Sequence, residues 1–458
     1  MADTKRATRK RLKGPYSAYG SNRQRLDDSV LTRVGRGTPG GEYFRRFWQP
    51  VCLSSQLSDV PKRIRILGED LVAFRDHAGR VGVLELHCPH RGTSLEFGKI
   101  REHGIQCCYH GWHFDIDGRV LDTPGEPGGS PIKDRLWHGA YPALEWKGLV
   151  FAYMGPPEKK PEFPVYDAFE RDDAEFVYRY WHSPCNWLQM RENEMDPIHL
   201  TFLHTRVFNV QFTPVYGEIP TMEWEETENG MIYLTTRRWK ENLYFRVSEV
   251  LLPNITRIAG IEDGEEETVF DRRGGALNWT VPIDDTNSLS IGMGDIDKNL
   301  TVPGLNAYRD RMNRAGGYTV GAGDVGQSGE PSYEERQRAP GDWDAWVSQG
   351  PITGHSHENL GYTDQGIALY RKLLRQGIES VAKGRDPKAL LRRRPNAPLL
   401  TYAQNTIKRV PRANSAEGEH ALGLAFGRAI VGAIKDGRLA KKRMGAERPE
   451  DFVFVAPK

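Results

Sequence analysis

Cys88-Pro89-His90-Arg91-Gly92 and Cys107-Cys108-Tyr109-His110-Gly111-Trp112 carry the reading of this chain. The first stretch is C-x-H and the second C-x-x-H, with Arg91 to Gln106 between them. Each contributes one soft thiolate and one imidazole, so two short loops together offer a complete ligand set for one metal centre. Gly92 and Gly111 allow tight turns and close approach of backbone. Backbone N–H groups in such turns can donate to metal-bound sulfur and tune its electronics. Cys108 has the wrong offset to His110 and is expected to pack. His87, His103 and His113 lack the paired spacing and are expected at the surface or behind the ligands.

If one iron takes Cys88 and Cys107 while the other takes His90 and His110, the centre is a Rieske [2Fe–2S] cluster, with a higher potential than an all-cysteine one. A structural zinc site draws on the same ligand types, but zinc fingers pair Cys with Cys and His with His at their spacings. Pro89, Arg91-Gly92 and Tyr109-His110-Gly111-Trp112 resemble the N-terminal domain of the Rieske non-haem iron oxygenases.

The bulk numbers bound the size and the partners. The chain of 458 residues suits about two to three domains. Lys+Arg number 63 and Asp+Glu 61, a formal charge of +2, which argues against a chain built for polyanions. The five cysteines predict a reducing compartment without a disulfide framework. With no apolar run long enough to span a bilayer and no signal-like apolar core near the start, a soluble, cytoplasmic protein is expected, with no nucleic-acid or membrane partner.

Lys5, Arg6, Arg9, Lys10, Arg11 and Lys13 crowd a polar start, read as a solvated tail. From Tyr43 to Pro156, Trp48–Leu53, Arg63–Leu67, Leu71–Arg75, Val81–Leu86 and Leu149–Tyr153 read as strands separated by turn residues. The proline cluster Pro156 to Pro164 marks a boundary. Beyond it, Phe176–Trp181, Met231–Arg237, Tyr244–Leu252, Ile255–Ile261, Ala276–Pro282 and Ser288–Gly292 read as strands, with Asp284 to Asn287 as a hairpin connection. Gly316 to Glu330 is a Gly-rich surface loop. Thr363-Asp364 caps a helix with Ile367, Tyr370, Leu374 and Ile378 on its apolar face. Ala421–Ile434 forms a last helix before a basic end at Lys441, Lys442 and Arg443.

The fold class is therefore α+β. Residues 1–42 are a basic tail and lead-in, and 43–156 a Rieske β-sandwich. Residues 157–384 form a second domain with a central antiparallel sheet, which the resemblance implies is a catalytic domain of the helix-grip type, and 385–458 a C-terminal helical extension.

The second informative stretch is Glu192-Asn193-Glu194-Met195-Asp196-Pro197-Ile198-His199-Leu200-Thr201-Phe202-Leu203-His204. It contains D-x-x-H-x-x-x-x-H. Two His and a carboxylate on one face of a metal leave positions open for O2 and substrate. His199 and His204 are five apart, about 140° around a regular helix. Reaching one ion therefore requires a local π-bulge or a helix end, and Pro197 is a plausible cause. Following a Rieske motif, this stretch resembles the catalytic motif of the same family. The likeness runs from about residue 40 to 375 and is nearest to the phthalate 4,5-dioxygenase group, which includes O-demethylases. Phe44-Arg45-Arg46-Phe47-Trp48-Gln49-Pro50 and Glu358-Asn359-Leu360-Gly361 share that group's look.

The resemblance implies a second metal, its ligands and its partners. His199 and His204 would bind a mononuclear non-haem Fe(II), with Asp342 as third ligand and Asp344 as the alternative. The family often carries Glu before this Asp, where this chain has Gly341. Asp196 would bridge His110 of one subunit to His199 of the next in a homotrimer, or in a dimer of trimers. Asn193 would line the iron pocket. A separate ferredoxin or flavin reductase would bring electrons from NAD(P)H, and O2 would oxidise a small aromatic acid by dihydroxylation or O-demethylation. Arg206, Phe208 and Arg246 are pocket candidates. A Rieske electron carrier and a zinc-stabilised binding protein are the rival readings.

Overall fold

The computed structural model describes residues 14–17, 25–128, 130–171, 174–272, 274–297, 329–436 and 454. The basic start, most of the Gly-rich stretch 316–330 and the basic end at 441–443 lie outside them.

The N-terminal half is built from short antiparallel strands. β1 (Trp48–Leu53) pairs with β11 (Leu149–Tyr153), which also pairs with β10 (Ala143–Trp146). A second sheet runs β2 (Lys62–Ile66), β3 (Glu69–Arg75), β4 (Val81–Glu85), β9 (Ala140–Tyr141). A third runs β5 (Lys99–Ile100), β6 (Ile105–Gln106), β7 (His113–Phe114), β8 (Val120–Asp122). The apolar residues of this third sheet, Ile100, Ile105, Phe114 and Val120, pack against Val72, Phe74 and Leu84. That small core supports both cysteine loops. The first lies between β4 and β5 and the second joins β6 to β7.

The C-terminal half is organised on a nine-stranded antiparallel sheet among the described residues. Its main path is β12 (Ala174–Ser183), β19 (Asn287–Asp297), β18 (Ala276–Asp284), β16 (Ile255–Ile258), β15 (Asn242–Leu251), β14 (Gly230–Trp239), β13 (Thr221–Glu226). β17 (Thr268–Asp271) and β20 (Gln404–Arg409) complete it. All ten residues of β15 are buried, as befits a strand covered on both faces. The expected hairpin is present: Asp284 faces Asn287, and the Asp284 carboxylate accepts from the Thr286 N–H at 2.9 Å.

The C-terminal stretch is more than the helical extension expected. β20 inserts beside β15, with Asn242 facing Arg409 and Val247 facing Gln404. Its sequence, QNTIKR, has one large apolar residue, so hydrophobic periodicity does not announce it. The expected helix follows as Ala416–Lys435, and its Leu422, Phe426 and Ile430 share a core with Phe245 and Val247. The lead-in is likewise structured. Short helices at Ser29–Thr32 and Pro39–Phe44 lie against the helix Trp187–Asn193. There the Phe44 and Trp187 rings are 4.7 Å apart, the Trp187 indole donates to Leu31 O at 3.2 Å, and Asn186 Nδ2 donates to Thr32 O at 2.9 Å.

Asp364 stands before the helix Gln365–Ala382, but its carboxylate accepts from the Gly361 N–H instead of capping a helical N–H. A 3₁₀ turn at Tyr362–Asp364 causes the difference. Tyr370, Leu374 and Ile378 are buried as expected, joined by Leu373 and Val381. Among the described residues no helix is long and apolar enough to cross a membrane.

A buried ion cluster fastens β16, β19 and the segment before β12. Asp295 accepts from Arg171 and from Arg257 Nη1, the latter at 3.1 Å, and all three side chains are at most 3 % exposed. Asp295→Ala leaves two guanidiniums buried without their shared carboxylate, and is expected to lower the unfolding free energy by about 3–5 kcal/mol. Chemical denaturation followed by fluorescence checks this; an unchanged midpoint refutes it.

Candidate metal centres and substrate cavity

The two cysteine loops are built alike. In the first, the Cys88 N–H donates to Thr93 O at 2.9 Å and the Gly92 N–H to Cys88 O at 2.9 Å. In the second, the Cys107 N–H donates to Trp112 O at 2.8 Å and the Gly111 N–H to Cys107 O at 3.1 Å. Gly92 and Gly111 close them at φ +74° and +75°, a conformation that favours glycine. The result brings the Cys88 and Cys107 thiols into contact and the His90 and His110 rings to 4.6 Å. Burial, together with the neighbouring Cys107 thiol, pushes the Cys88 thiol up to about 11, despite N–H groups from His90 and Arg91.

The Trp112 ring stacks on His90 with an interplanar angle of 2°. Two thiols side by side and two imidazoles side by side suit a centre whose two irons take unlike ligands. Cys108 corrects an expectation: it is exposed, because the turn that buries Cys107 directs its neighbour outward. His87 and His103 are exposed and His113 half-buried, as expected. His87 Nδ1 lies 2.9 Å from Gly92 O, supporting the first loop from behind.

The second centre gathers on the helix Trp187–Asn193 and the turns just beyond it. That helix stops at Asn193, and the Asp196 carboxylate accepts from the Ile198 N–H at 2.9 Å to start a new turn. The turn His199–Thr201 then widens into a π-helical segment, Phe202–Arg206. This supplies the distortion that the i, i+5 spacing requires. The His199 and His204 rings lie 5.2 Å apart.

Both imidazoles are oriented through Nδ1. His199 Nδ1 meets the Asp196 carbonyl, and His204 Nδ1 lies 2.7 Å from Gln211 Oε1. Donation from Nδ1 leaves Nε2 on each ring as the lone-pair atom. Both Nε2 atoms face Asp342 Oδ1, at 3.5 Å from His199 and 3.0 Å from His204. Ligand atoms of the three residues all lie within 4.8 Å of one another. Burial draws the His204 imidazole down, yet Asp342 and Gln211 raise it overall. The carboxylate thus attracts positive charge, as a divalent cation site does. The donor set of two imidazole nitrogens and one carboxylate fits Fe(II) with open positions.

Asp342 and Asp344 separate cleanly. Asn193 Nδ2 donates to Asp342 Oδ1 at 2.9 Å. Asp344 instead pairs with Arg336 at 2.6 Å and accepts from the Gly341 N–H at the start of the helix Asp342–Val347.

Gln211 was not legible in the sequence. Besides meeting His204, its Nε2 donates to Pro340 O at 2.8 Å, joining the histidine turn to the segment that presents Asp342. Arg371 was also unforeseen. It donates to both oxygens of Glu192 and both of Glu358, locking the helix Gln365–Ala382 and the 358–361 segment to the helix carrying Asn193. His355 shares that cluster, its Nδ1 accepting from the Asp28 N–H at 3.1 Å and its Nε2 buried without a hydrogen-bond partner. The guanidinium fills the space between the two carboxylates, so this acidic group is a buttress. Burial raises the half-buried Asp196 carboxyl, opposed by His199 and the N–H groups of Ile198 and His199.

A cavity of about 230 Å³ opens beside His199 and Asp342. Its walls include Trp181, Phe212, Tyr216, Tyr233 and Trp346, with Arg179, Glu194 and Asn278 as polar lining. Arg191 and Thr256 hold the Glu194 carboxyl, which burial pushes up to about 7. Of the pocket candidates read from the sequence, Arg246 lines the cavity, whereas Arg206 and Phe208 are exposed and do not.

The chain is also similar to known proteins. Residues 47–134 match the family model of the Rieske [2Fe-2S] domain. The chain is 40% identical over 427 residues to the oxygenase subunit of tert-butanol monooxygenase / tert-amyl alcohol desaturase from Aquincola tertiaricarbonis, covering 89% of each. It is 39% identical over 375 residues to the alpha subunit of phenoxybenzoate dioxygenase from Ectopseudomonas oleovorans, covering 79% of this chain and 87% of that one. Among solved structures, a QL mutant of NdmA from Pseudomonas putida CBB5 with theobromine shares the fold. Its TM-score is 0.58 at 19% identity, covering 82% of this chain and 98% of that one.

Proposed function

The chain belongs to the Rieske non-haem iron oxygenases, in the group that includes phthalate 4,5-dioxygenase, and from that premise we propose that it oxidises a small aromatic acid by cis-dihydroxylation or oxidative O-demethylation. It is the oxygenase component of a multicomponent system whose electrons come from NAD(P)H through a reductase. The observation that carries the substrate reading is the meeting of His199, His204 and Asp342 at the wall of a cavity lined by aromatic rings and by Arg179 and Arg246.

We assign Cys88, His90, Cys107 and His110 to the cluster, and His199, His204 and Asp342 to the mononuclear iron. When loaded, the cluster supplies single electrons and the Fe(II) supplies the activation of O2. The protein's own part is to fix the histidines: the Asp196 carbonyl and Gln211 hold the Nδ1 protons, and Asn193 steadies the carboxylate. Asp196 is the bridging group of the proposal. With a neighbouring subunit's His110 facing it in a homotrimer, its carboxylate would link the two centres by hydrogen bonds. The half-buried side chain with one oxygen already engaged supports that role. Residues 43–156 are the proposed cluster unit, and 157–384 the proposed catalytic unit, to which β20 and the helix Ala416–Lys435 add. Light scattering on the active holoenzyme checks the trimer; a monomer removes it.

Incubating the purified protein with a reductase, NADH and a panel of phthalates and methoxybenzoates tests the reaction. Formaldehyde release marks demethylation; a cis-diol carrying both atoms of labelled O2 marks dioxygenation. Iron analysis should give about three irons per chain, where an electron carrier would give about two. A second reading, oxidation of a branched alcohol, is favoured by the relative acting on tert-butanol. Turnover of tert-butanol with none of the acids would select it.

A further inference from the structure

We propose that Arg179 holds the substrate's carboxylate and so decides which end of the molecule faces the metal-binding trio. This rests on the reading of the chain as an aromatic-acid oxygenase.

Arg179 lies on β12 opposite Gly292 of β19, Gly292 lies opposite Asn278 of β18, and Asn278 opposite Thr256 of β16. Directly opposed residues share a face of the sheet. The four therefore form one row across the floor of the cavity, and Thr256 at its far end meets Glu194.

Arg179 differs from the other arginines of this region. Arg191 is spent on Glu194 and Thr280, Arg257 on Asp295, and Arg246 on the carbonyls of Ala259 and Gly260. Among the described residues Arg179 makes neither a hydrogen bond nor an ion pair; its Nε is buried without a partner, as are those of Arg191, Arg246 and Arg257, so the difference lies in the terminal nitrogens, which only the other three commit to partners. Glu194, the carboxylate whose charge acts on it, is already engaged by Arg191 and Thr256. A partly buried guanidinium whose terminal nitrogens are uncommitted at a cavity wall offers an incoming anion charge-assisted hydrogen bonds.

The floor beside it is bare. A Cβ added to Gly294 would lie 3.9 Å from Arg179 Nη2. The glycine thus leaves the planar fork without a side chain over it from β19, which suits the two oxygens of a carboxylate. Neither sequence candidate matches it: both terminal nitrogens of Arg246 are held by the carbonyls of Gly260 and Ala259, and Arg206 is exposed and donates to Gly217 O.

The test compares holoenzyme and Arg179→Met by anaerobic calorimetry with benzoate, phthalate and 4-methoxybenzoate, each against its methyl ester. Loss of a charged hydrogen-bonding partner should raise Kd for the acids about ten- to hundredfold. The ester affinities, iron content and cluster spectrum should not move, and Arg179→Lys should recover part of the loss. Acids bound equally well by Arg179→Met overturn the assignment of Arg179 alone. Equal loss of acid and ester makes the residue structural and overturns it too. A wild-type holoenzyme that binds none of the acids overturns the substrate reading together with it.

Discussion

Asp196→Asn should leave both metal centres loaded and lower reductase-driven turnover about a hundredfold. The substitution keeps the size of the side chain and the oxygen that accepts from the Ile198 N–H, so the turn leading to His199 persists. The contact that orients His199 uses the backbone carbonyl of residue 196, which the change does not touch. What disappears is the negative charge, and with it one acceptor, now replaced by an NH2 group that cannot accept from an imidazole. Iron content, the paramagnetic spectrum of the reduced cluster and the rate of product formation measure the three outcomes separately. Full turnover would remove the bridge between centres. Loss of iron would make Asp196 a scaffold residue.

His199→Ala carries the other large effect. The mononuclear iron should be lost, total iron falling from about three to about two per chain, while the cluster keeps its colour. Product formation should fall to background, because Asp342 and His204 alone make a poor site. The expectation rests on the separation of the ligand sets: His199 sits on the turn after Asp196, whereas the cluster loops hang from β4 to β7 and are closed by their own hydrogen bonds. A colourless variant would mean that the two sites had been confused. Zinc in place of iron in the wild type would end the assignment of both.

Much of this arrangement was legible in the residues. Cys and His in paired loops define a ligand set chemically, and strands such as Leu149–Tyr153 announce themselves by continuous apolar runs. The i, i+5 spacing of His199 and His204 even demanded a distortion, which the π-turn at Phe202–Arg206 supplies. Contacts between distant segments were not legible. Nothing local marks Gln211 as the partner of His204, or Arg371 as the clamp on Glu192 and Glu358, since each is an ordinary polar residue until the chain folds. Cys108 misled because its wrong offset to His110 left packing as its expected role, while the direction of a side chain in a tight turn is set by backbone torsions that spacing does not encode. Asp342 and Asp344, two apart on a short helix, point to different neighbours for the same reason.

β20 pairs with Asn242 to Val247 of β15 although about 160 residues separate the two strands. While the chain is being made, that flank of β15 has no hydrogen-bonding partner until residue 409 has left the ribosome. A nascent polypeptide with a bare β-edge invites association with its neighbours. Slow synthesis or premature termination before residue 404 should therefore yield aggregates even when every metal ligand has already been translated.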